Sequence, residues 1–277
     1  MHNNIFKDTI LFSDIDGTLM TYKKELPKRN LEAIKHFQQG GGKFTICTGR
    51  SVESLRRAID VSILNFPAIV FNGGGIYDYE NEKFLKDSVL NQDVRHFVDE
   101  IFEKYPDIGI EINVDDVLYC VKYSERSNRH ILTERDEFKL YSMDSIPDGQ
   151  WKKVLFTGEK RDIDILSEDF LLRNTEGKDY YFLRSEPGLF ELLPASAKKG
   201  LAVFEISEMY SVPIKNVFAI GDYFNDITML EAAGTACAVS GSPKEVMDIA
   251  DYISCPCEDG AVADFISYIE QKRINKG

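Results

Sequence analysis

The chain has 277 residues, with 33 lysines and arginines against 46 aspartates and glutamates, a net charge of −13. At 43% hydrophobic and 29% charged it has the composition of an ordinary soluble globular protein, which excludes disordered, collagen-like and disulfide-stapled chains. The acidic balance argues against a nucleic-acid or anionic-membrane surface, and any anionic ligand would need cations concentrated where it binds. Chains of this length begin to split into domains, so one large domain carrying a smaller one is expected. No run approaches the ~20 apolar residues of a membrane span, and residues 1–8 lack the apolar centre of a secretory signal. Five cysteines are present, of which only Cys255 and Cys257 are close in sequence. With no histidine in metal-ligand register they read as free thiols of a reducing cytoplasm, the expected location.

In chain order, Thr9 to Asp14 is a short apolar strand that ends in polar residues and Gly17. Pro27 opens a helix with Leu31, Ile34 and Phe37 on one face, stopped by Gly40-Gly41-Gly42. Lys43 to Thr48 is a second strand, followed by the turn Thr48-Gly49-Arg50 and a helix from Val52. A third strand, Ala68 to Phe71, leads into Asn72-Gly73-Gly74-Gly75. Near-continuous apolar strands joined by amphipathic helices predict a parallel sheet covered on both faces. From about Asn81 to Glu186 the texture changes: an amphipathic helix (Val94, Phe97, Val98, Ile101, Phe102, Tyr105) precedes alternating strands such as Asp116 to Tyr123 and Lys153 to Phe156. The first pattern then resumes with the strand Val217 to Asp222, a helix through Met229 and Leu230, the strand Thr235 to Ser240, a helix over 243–250, a short strand at 252–254 and a helix from Ala261 to Ile269. The expected fold class is α/β: a doubly wound parallel-sheet core, residues 1–81 and 187–277, with an inserted α+β domain over 82–186.

Four strand ends carry unusual polar groups: Asp14-Ile15-Asp16-Gly17-Thr18, Thr48-Gly49, Asn72-Gly73, and Gly221-Asp222 running on to Asn225-Asp226. Open α/β sheets bind ligands at the carboxyl ends of their strands, so these groups converge on one crevice. Asp14 and Asp16 point the same way if the strand continues. Paired carboxylates repel, and with Asp222 they offer hard oxygen ligands that suit Mg²⁺ better than Ca²⁺ or zinc. Singly, each residue reads as a turn former, helix cap or first-turn acid. Their co-occurrence on independently predicted strands favours a shared site.

These residues resemble the motifs of the haloacid-dehalogenase-like (HAD) hydrolase superfamily, and in particular its Cof-type phosphatases with a type IIB cap. The D-x-D-G-T motif matches Asp14 to Thr18, the second-motif threonine matches Thr48, and the N-G turn matches Asn72-Gly73. Lys199-Gly200 matches the third-motif lysine and glycine, G-D-x-x-N-D matches Gly221 to Asp226, and Glu258-Asp259-Gly260 resembles a late E-D-G segment. Two departures stand out: Lys198 where the family commonly has serine, and Ser240-Gly241-Ser242-Pro243 where it often has M-G-N-A.

The resemblance implies a Mg²⁺-dependent phosphatase of small phosphomonoesters, such as sugar phosphates, working through an aspartyl-phosphate. Asp14 would be the nucleophile and Asp16 the acid/base. Asp14, the Asp16 backbone carbonyl and Asp222 would hold the metal. Thr48, Lys199, Asn225 and the amides of Ile15 and Gly49 would bind phosphate. Asp226 and Asn72 would stand behind them, Asp226 orienting Lys199 or the waters of the metal. The expected partner is a small phosphorylated metabolite, bound by a monomer or homodimer. A sugar phosphomutase is the nearest alternative reaction. A receiver-like signalling protein, which also uses Mg²⁺ and a phosphorylatable aspartate, is the alternative from another class; Asp14 and Asp16 on one strand count against it. Ser196 is the expected cap of the helix carrying Leu201, Phe204 and Ile206. Of the two lysines in its first turn, Lys199 is expected at the phosphate and Lys198 in solvent, because adjacent helical residues diverge by ~100°.

Overall fold

The computed structural model describes residues 4–134, 139–147, 149–173 and 177–275. The chain runs β1 (Ile10–Ser13), α1 (Lys28–Gln39), β2 (Lys43–Ile46), α2 (Val52–Ala58), β3 (Ala68–Val70), β4 (Gly75–Asp78) and β5 (Lys83–Asp87). It continues as α3 (Arg95–Lys104), β6 (Gly109–Val114), β7 (Val117–Lys122), α4 (Glu125–Glu134), β8 (Trp151–Thr157), α5 (Lys160–Leu171), β9 (Tyr180–Glu186) and β10 (Leu189–Pro194). It ends α6 (Lys199–Met209), β11 (Val217–Gly221), α7 (Ile227–Ala232), β12 (Thr235–Ala238), α8 (Lys244–Asp248), β13 (Tyr252–Ile253) and α9 (Ala261–Ile274). Two compact units result: residues 1–50, 58–86 and 198–277, and residues 51–57 with 87–197.

The first unit is built on a parallel sheet in the order β13-β12-β11-β1-β2. A parallel bridge between Cys47 and Ile69 sets β3 beyond β2, and β3, β4 and β5 form a small sheet of their own. Alternation along the strands directs Ile10, Phe12, Val217 and Ala219 to one face, where Val203 and Ile206 of α6 and Met229 of α7 cover them. On the other face Phe218 meets Phe265 of α9, their ring centroids 6.1 Å apart. Helices therefore clothe both faces, as the near-continuous apolar strands predict. A wholly buried ring such as Phe12 is worth about 3–5 kcal/mol against truncation to alanine.

Along α1 the buried residues are Asn30, Ile34 and Phe37, with Leu31 only half-buried. Asn30 takes the inner position because its amide has two partners: Nδ2 donates to the Leu19 carbonyl and Oδ1 accepts from the Ala263 N–H. Leaving either group unpaired would cost about 1–3 kcal/mol. At the end of the chain, α9 extends to Ile274, past the expected stop at Ile269.

The second unit is centred on an antiparallel sheet ordered β7-β6-β8-β10-β9. Ile110, Ile112, Val154, Phe156, Phe190 and Leu192 form an apolar face under α3 (Phe97, Val98, Ile101) and α5 (Ile163, Leu166, Phe170). The expected cut between residues 186 and 187 falls inside the β9–β10 hairpin, where Glu186 pairs with Leu189, so the sheet carries this unit on to residue 197. At its other edge the compact unit begins at residue 87, not 82, and it also takes in residues 51–57.

Candidate active site

Every residue singled out for chemistry lies in the first unit. The Asp14 N–H donates to the Ile220 carbonyl at 3.0 Å, so the chain stays extended one residue past β1 before turning. The turn closes through Met20 N–H to the Ile15 carbonyl and Gly17 N–H to the Met20 carbonyl, both 2.8 Å. Gly17 has φ +92°, and a Cβ there would lie 2.5 Å from Asp222 Oδ2, so both conformation and space require glycine. Among the described residues the N–H of Ile15 donates to no group.

Asp14 is buried, and its Oδ1 accepts from Lys199 Nζ at 2.6 Å. The same ammonium donates at 2.6 Å to Asp226 Oδ1. Asp226 Oδ2 accepts the N–H groups of Asp222 (2.9 Å) and Tyr223 (3.2 Å), which folds the turn after β11 around its carboxylate. Thr18 Oγ1 and the Tyr22 hydroxyl each donate to Asp222 at 2.7 Å. One carboxylate oxygen from each of Asp14, Asp222 and Asp226 lies within 4.8 Å of the others. Lys199 opens α6, where a positive charge opposes the helix dipole, and two carboxylates at contact distance offset that cost.

Lys198 is exposed and holds the cap position of α6. Ser196 is not the cap: its hydroxyl pairs with Ser88 Oγ at 2.9 Å. The Lys198 carbonyl presses on Gly73, where a Cβ would come within 2.3 Å of it. At the end of β2, Thr48 N–H donates to the Ile69 carbonyl and Asn72 N–H to the Thr48 carbonyl, both 2.9 Å. Thr48 Oγ1 accepts the Arg50 N–H at 3.2 Å, so it closes its own turn and does not cap α2. Asn72, at φ +54°, accepts from Asn225 Nδ2 at 3.4 Å, and a Cβ on Gly49 would touch the Asn72 amide at 3.0 Å. Thr48, Gly49, Asn72 and Asn225 thus form one group, and Asp14, Lys199, Asp222 and Asp226 another.

Asp16 departs from its pairing with Asp14. Its carboxylate is gripped by Arg50, Nε to Oδ2 at 2.9 Å and Nη2 to Oδ1 at 3.0 Å, and Lys24 also bonds Oδ1. The sequence reading missed Arg50, Tyr22 and Lys24. Arg50 had a signal, its place directly after Thr48-Gly49; Tyr22 and Lys24 sit in a turn whose sequence marks neither. In the inserted unit, Arg184 is tied to Asp164 and Ser167, and Arg126 to Glu186.

The charges are unevenly shared. Burial, together with the negative charges of Asp226 and Asp222, holds Asp14 well above the ordinary carboxylate range despite Lys199. Burial and Asp226 lift Asp222 to about 7 against the hydrogen bonds from Thr18 and Tyr22. Burial would raise Asp16 too, but Arg50 and Lys24 outweigh it and hold the group at about 2. Burial disfavours the Lys199 ammonium, yet Asp14 and Asp226 keep it charged. Three buried carboxylates therefore share one buried ammonium. That deficit of positive charge, on an all-oxygen donor set, fits a hard divalent cation such as Mg²⁺.

Residues 11–266 match the family described as haloacid dehalogenase-like hydrolase. The chain belongs to that family. This haloacid dehalogenase-like hydrolase is 26% identical to the 5-amino-6-(5-phospho-D-ribitylamino)uracil phosphatase YwtE of Bacillus subtilis, over 92% of this chain and 96% of the relative. It is 23% identical to a putative phosphatase of Haemophilus influenzae, over 91% and 95% of the two chains. In fold the hydrolase is similar to a haloacid dehalogenase-like hydrolase from Bacteroides thetaiotaomicron, with TM-score 0.79, 23% identity and coverage of 94% and 99%. A HAD subclass IIB sugar phosphatase gives TM-score 0.79 at 18% identity, over 94% and 98%. No helix among the described residues of this hydrolase is long and apolar enough to cross a membrane.

Proposed function

We propose that the chain is a Mg²⁺-dependent phosphatase of small phosphomonoesters, sugar phosphates or related metabolites, acting through an aspartyl-phosphate on Asp14. The observation that carries this reading is the state of Asp14. One of its oxygens is fixed by Lys199, and the other accepts no hydrogen bond among the described residues. A carboxylate oriented through one oxygen and unencumbered at the other is prepared for in-line attack on phosphorus. Relatives named as phosphatases support the reaction class.

In the first half-reaction Asp14 Oδ2 would attack phosphorus as the ester oxygen leaves. Thr48, Lys199, Asn225 and the amides of Ile15 and Gly49 would take the phosphoryl oxygens, spreading the charge that develops on them. Asp14, Asp222 and the backbone carbonyl of Asp16 are the residues assigned to a divalent cation, with Asp226 behind them; the cation supplies charge neutralisation between carboxylate and phosphate. It would also favour the ionised form of Asp14, which burial opposes. Asp16 would protonate the departing alkoxide and then take a proton from the water that opens the acyl phosphate. Clamped by Arg50 and Lys24 it is ionised, so the first task requires that both cations withdraw; burial then carries the Asp16 pKa back up. Choice among alcohols is assigned to the inserted unit.

Asp14→Asn tests the reading directly. Phosphate release from a panel of small phosphomonoesters with Mg²⁺ should vanish, because the amide oxygen does not attack. Substantial release by a folded Asp14→Asn protein would exclude the covalent route.

A further inference from the structure

Asp16 is met by more positive charge than one carboxylate needs. Arg50 alone holds it through two parallel bonds, Nε to Oδ2 at 2.9 Å and Nη2 to Oδ1 at 3.0 Å, the forked arrangement in which a guanidinium neutralises a carboxylate. Lys24 Nζ adds a third bond, 2.5 Å from Oδ1. Among the described residues Asp16 is the acidic group paired with Lys24, so the lysine charge is left over. The two cations differ in setting. The Arg50 side chain keeps 12% exposure, whereas that of Lys24 keeps 47% and is open to solvent. A half-exposed ion pair is worth little and exchanges partners readily. The backbone is nevertheless shaped to deliver this ammonium. Lys24 stands at φ +64°, in the left-handed region that suits glycine or asparagine. Its turn is closed on Thr21: Lys24 N–H donates to the Thr21 carbonyl at 2.8 Å, and Thr21 N–H to the Glu25 carbonyl at 2.9 Å. A side chain kept at an unfavourable backbone position points to a task for that side chain.

We infer that Lys24 receives a carboxylate or a second phosphate beside the ester oxygen, so that esters of anionic alcohols are preferred. The inference rests on the phosphatase reading and deepens it by naming the charge of the alcohol. Asp16 is assigned to the leaving oxygen, so a cation bonded to Asp16 stands on the alcohol side of the bond that breaks. Asp16 serves that oxygen only after both cations have moved off it. An anion on the alcohol gives the ammonium a new partner at that moment, whereas a neutral alcohol offers it none. A cationic alcohol is repelled by Lys24 and Arg50 together, and an apolar one strips water from the ammonium without replacing its hydrogen bonds. In a chain of net charge −13, a surplus cation at the site also draws in the more highly charged ester. With Asp16 one hydrogen bond from each, the anion lies within ~6 Å of the ester oxygen, the reach of a short acid. The anion is either part of the ester or a free ion, and the two sources give different results below.

Wild type, Lys24→Met and Lys24→Arg are compared, with urea midpoints to verify folding. In the first arm kcat and KM are measured with Mg²⁺ for 3-phosphoglycerate and glycerol 3-phosphate, which differ by a carboxylate in place of a hydroxymethyl group. In the second, calorimetry records the binding of 3-phosphonopropionate and propylphosphonate, neither of which can be hydrolysed. In the third, acetate is added to the glycerol 3-phosphate assay. The expected result is a preference for the acid of about tenfold or more in the first two arms. Lys24→Met should lose it, mainly through KM, and Lys24→Arg should keep it. A lysine that only neutralised Asp16 would shift both esters alike. Esters hydrolysed alike, with acetate accelerating wild type but not Lys24→Met, keep the site and identify a free anion as its ligand. If wild type hydrolyses neither ester, the phosphatase reading fails and the binding arm still decides this one. The inference is overturned if wild type shows neither an acid preference nor an acetate effect, or if Lys24→Met retains whichever it shows.

Discussion

Replacing Lys199 by methionine removes the ammonium at the centre of the charge cluster while keeping an unbranched stem of similar length. The Lys199 side chain is 0% exposed, and Nζ lies 2.6 Å from both Asp14 and Asp226. Deleting one partner of a buried pair costs about 3–5 kcal/mol, a large share of the ~5–15 kcal/mol that holds a domain folded. The stranded carboxylates can escape by protonation, so the loss depends on pH. Asp14 is already raised above the ordinary 3.8 and Asp222 is raised to about 7, in each case chiefly by burial and with Lys199 opposing the rise. A carboxyl group with a raised folded-state pKa holds a proton that the unfolded chain has released. Its effect on stability is absent below the unfolded value and grows more unfavourable as pH climbs through the folded one. In Lys199→Met that window widens upward. The loss should be small near about pH 5 and approach the full 3–5 kcal/mol near about pH 8. Urea unfolding of the metal-free proteins at several pH values measures it, provided the m-value is unchanged. Asp14→Asn in the same background should recover part of the loss at the higher pH. A loss of equal size at every pH would mean that packing and not charge is at stake, and no loss at the higher pH would refute the argument outright. Activity should fall by ~10²-fold or more, since Lys199 is assigned to the transferring phosphoryl group.

Three further expectations are open to measurement. A chelator should stop phosphate release and Mg²⁺ restore it, and Asp222→Ala should raise the metal concentration needed; turnover indifferent to chelator would contradict the charge-deficit argument. Gly73→Ala places a Cβ 2.3 Å from the Lys198 carbonyl at φ +97°. It should lower unfolding stability by about 1–3 kcal/mol, and an unchanged urea midpoint would show that the turn yields freely. Arg50→Ala should move the Asp16 carboxyl up from about 2, removing up to about 2 kcal/mol of stability that is present above pH ~4 and lost in acid. A carboxyl-carbon NMR titration that leaves Asp16 in place would show that Lys24 alone suffices.

The parallel core was legible in the sequence because its strands are buried on both faces and read as unbroken apolar runs, with polar residues beginning where the sheet ends. β10 was harder. Leu189-Phe190-Glu191-Leu192-Leu193-Pro194 has no alternation to mark a sheet with one polar face, since the polar member of that face, Glu191, is itself buried against Lys153. The expected boundary at residues 186–187 therefore falls inside a hairpin. The aspartates of the site stood out by their places at strand ends, and Lys199 by its likeness to the third family motif. What spacing could not convey is which charges neutralise which: Asp16 turned to Arg50, 34 residues on, where Asp14 turned to Lys199, 185 residues on. Ser196 was misjudged as a cap for a related reason, because Ser88, more distant in sequence, competes for its hydroxyl.

The placement of β1 also bears on how the protein is made. One neighbour of β1 follows within 40 residues, but Ile10 pairs on its other side with Val217. A ribosome adds about 5–20 residues per second, so this strand waits some ~10–40 s for that partner. The antiparallel sheet of the insertion is closed entirely by residues 109–194, and all its pairings become available in the interval. Throughout it, Ile10, Leu11 and Phe12 present an apolar edge with open backbone groups, the kind of surface that seeds association between nascent chains. Asp14 meanwhile has neither the lysine that orients it nor the aspartates that flank it. The polypeptide is inert until residues 199–226 have emerged, and chaperone protection would matter most for the strand that carries its nucleophile.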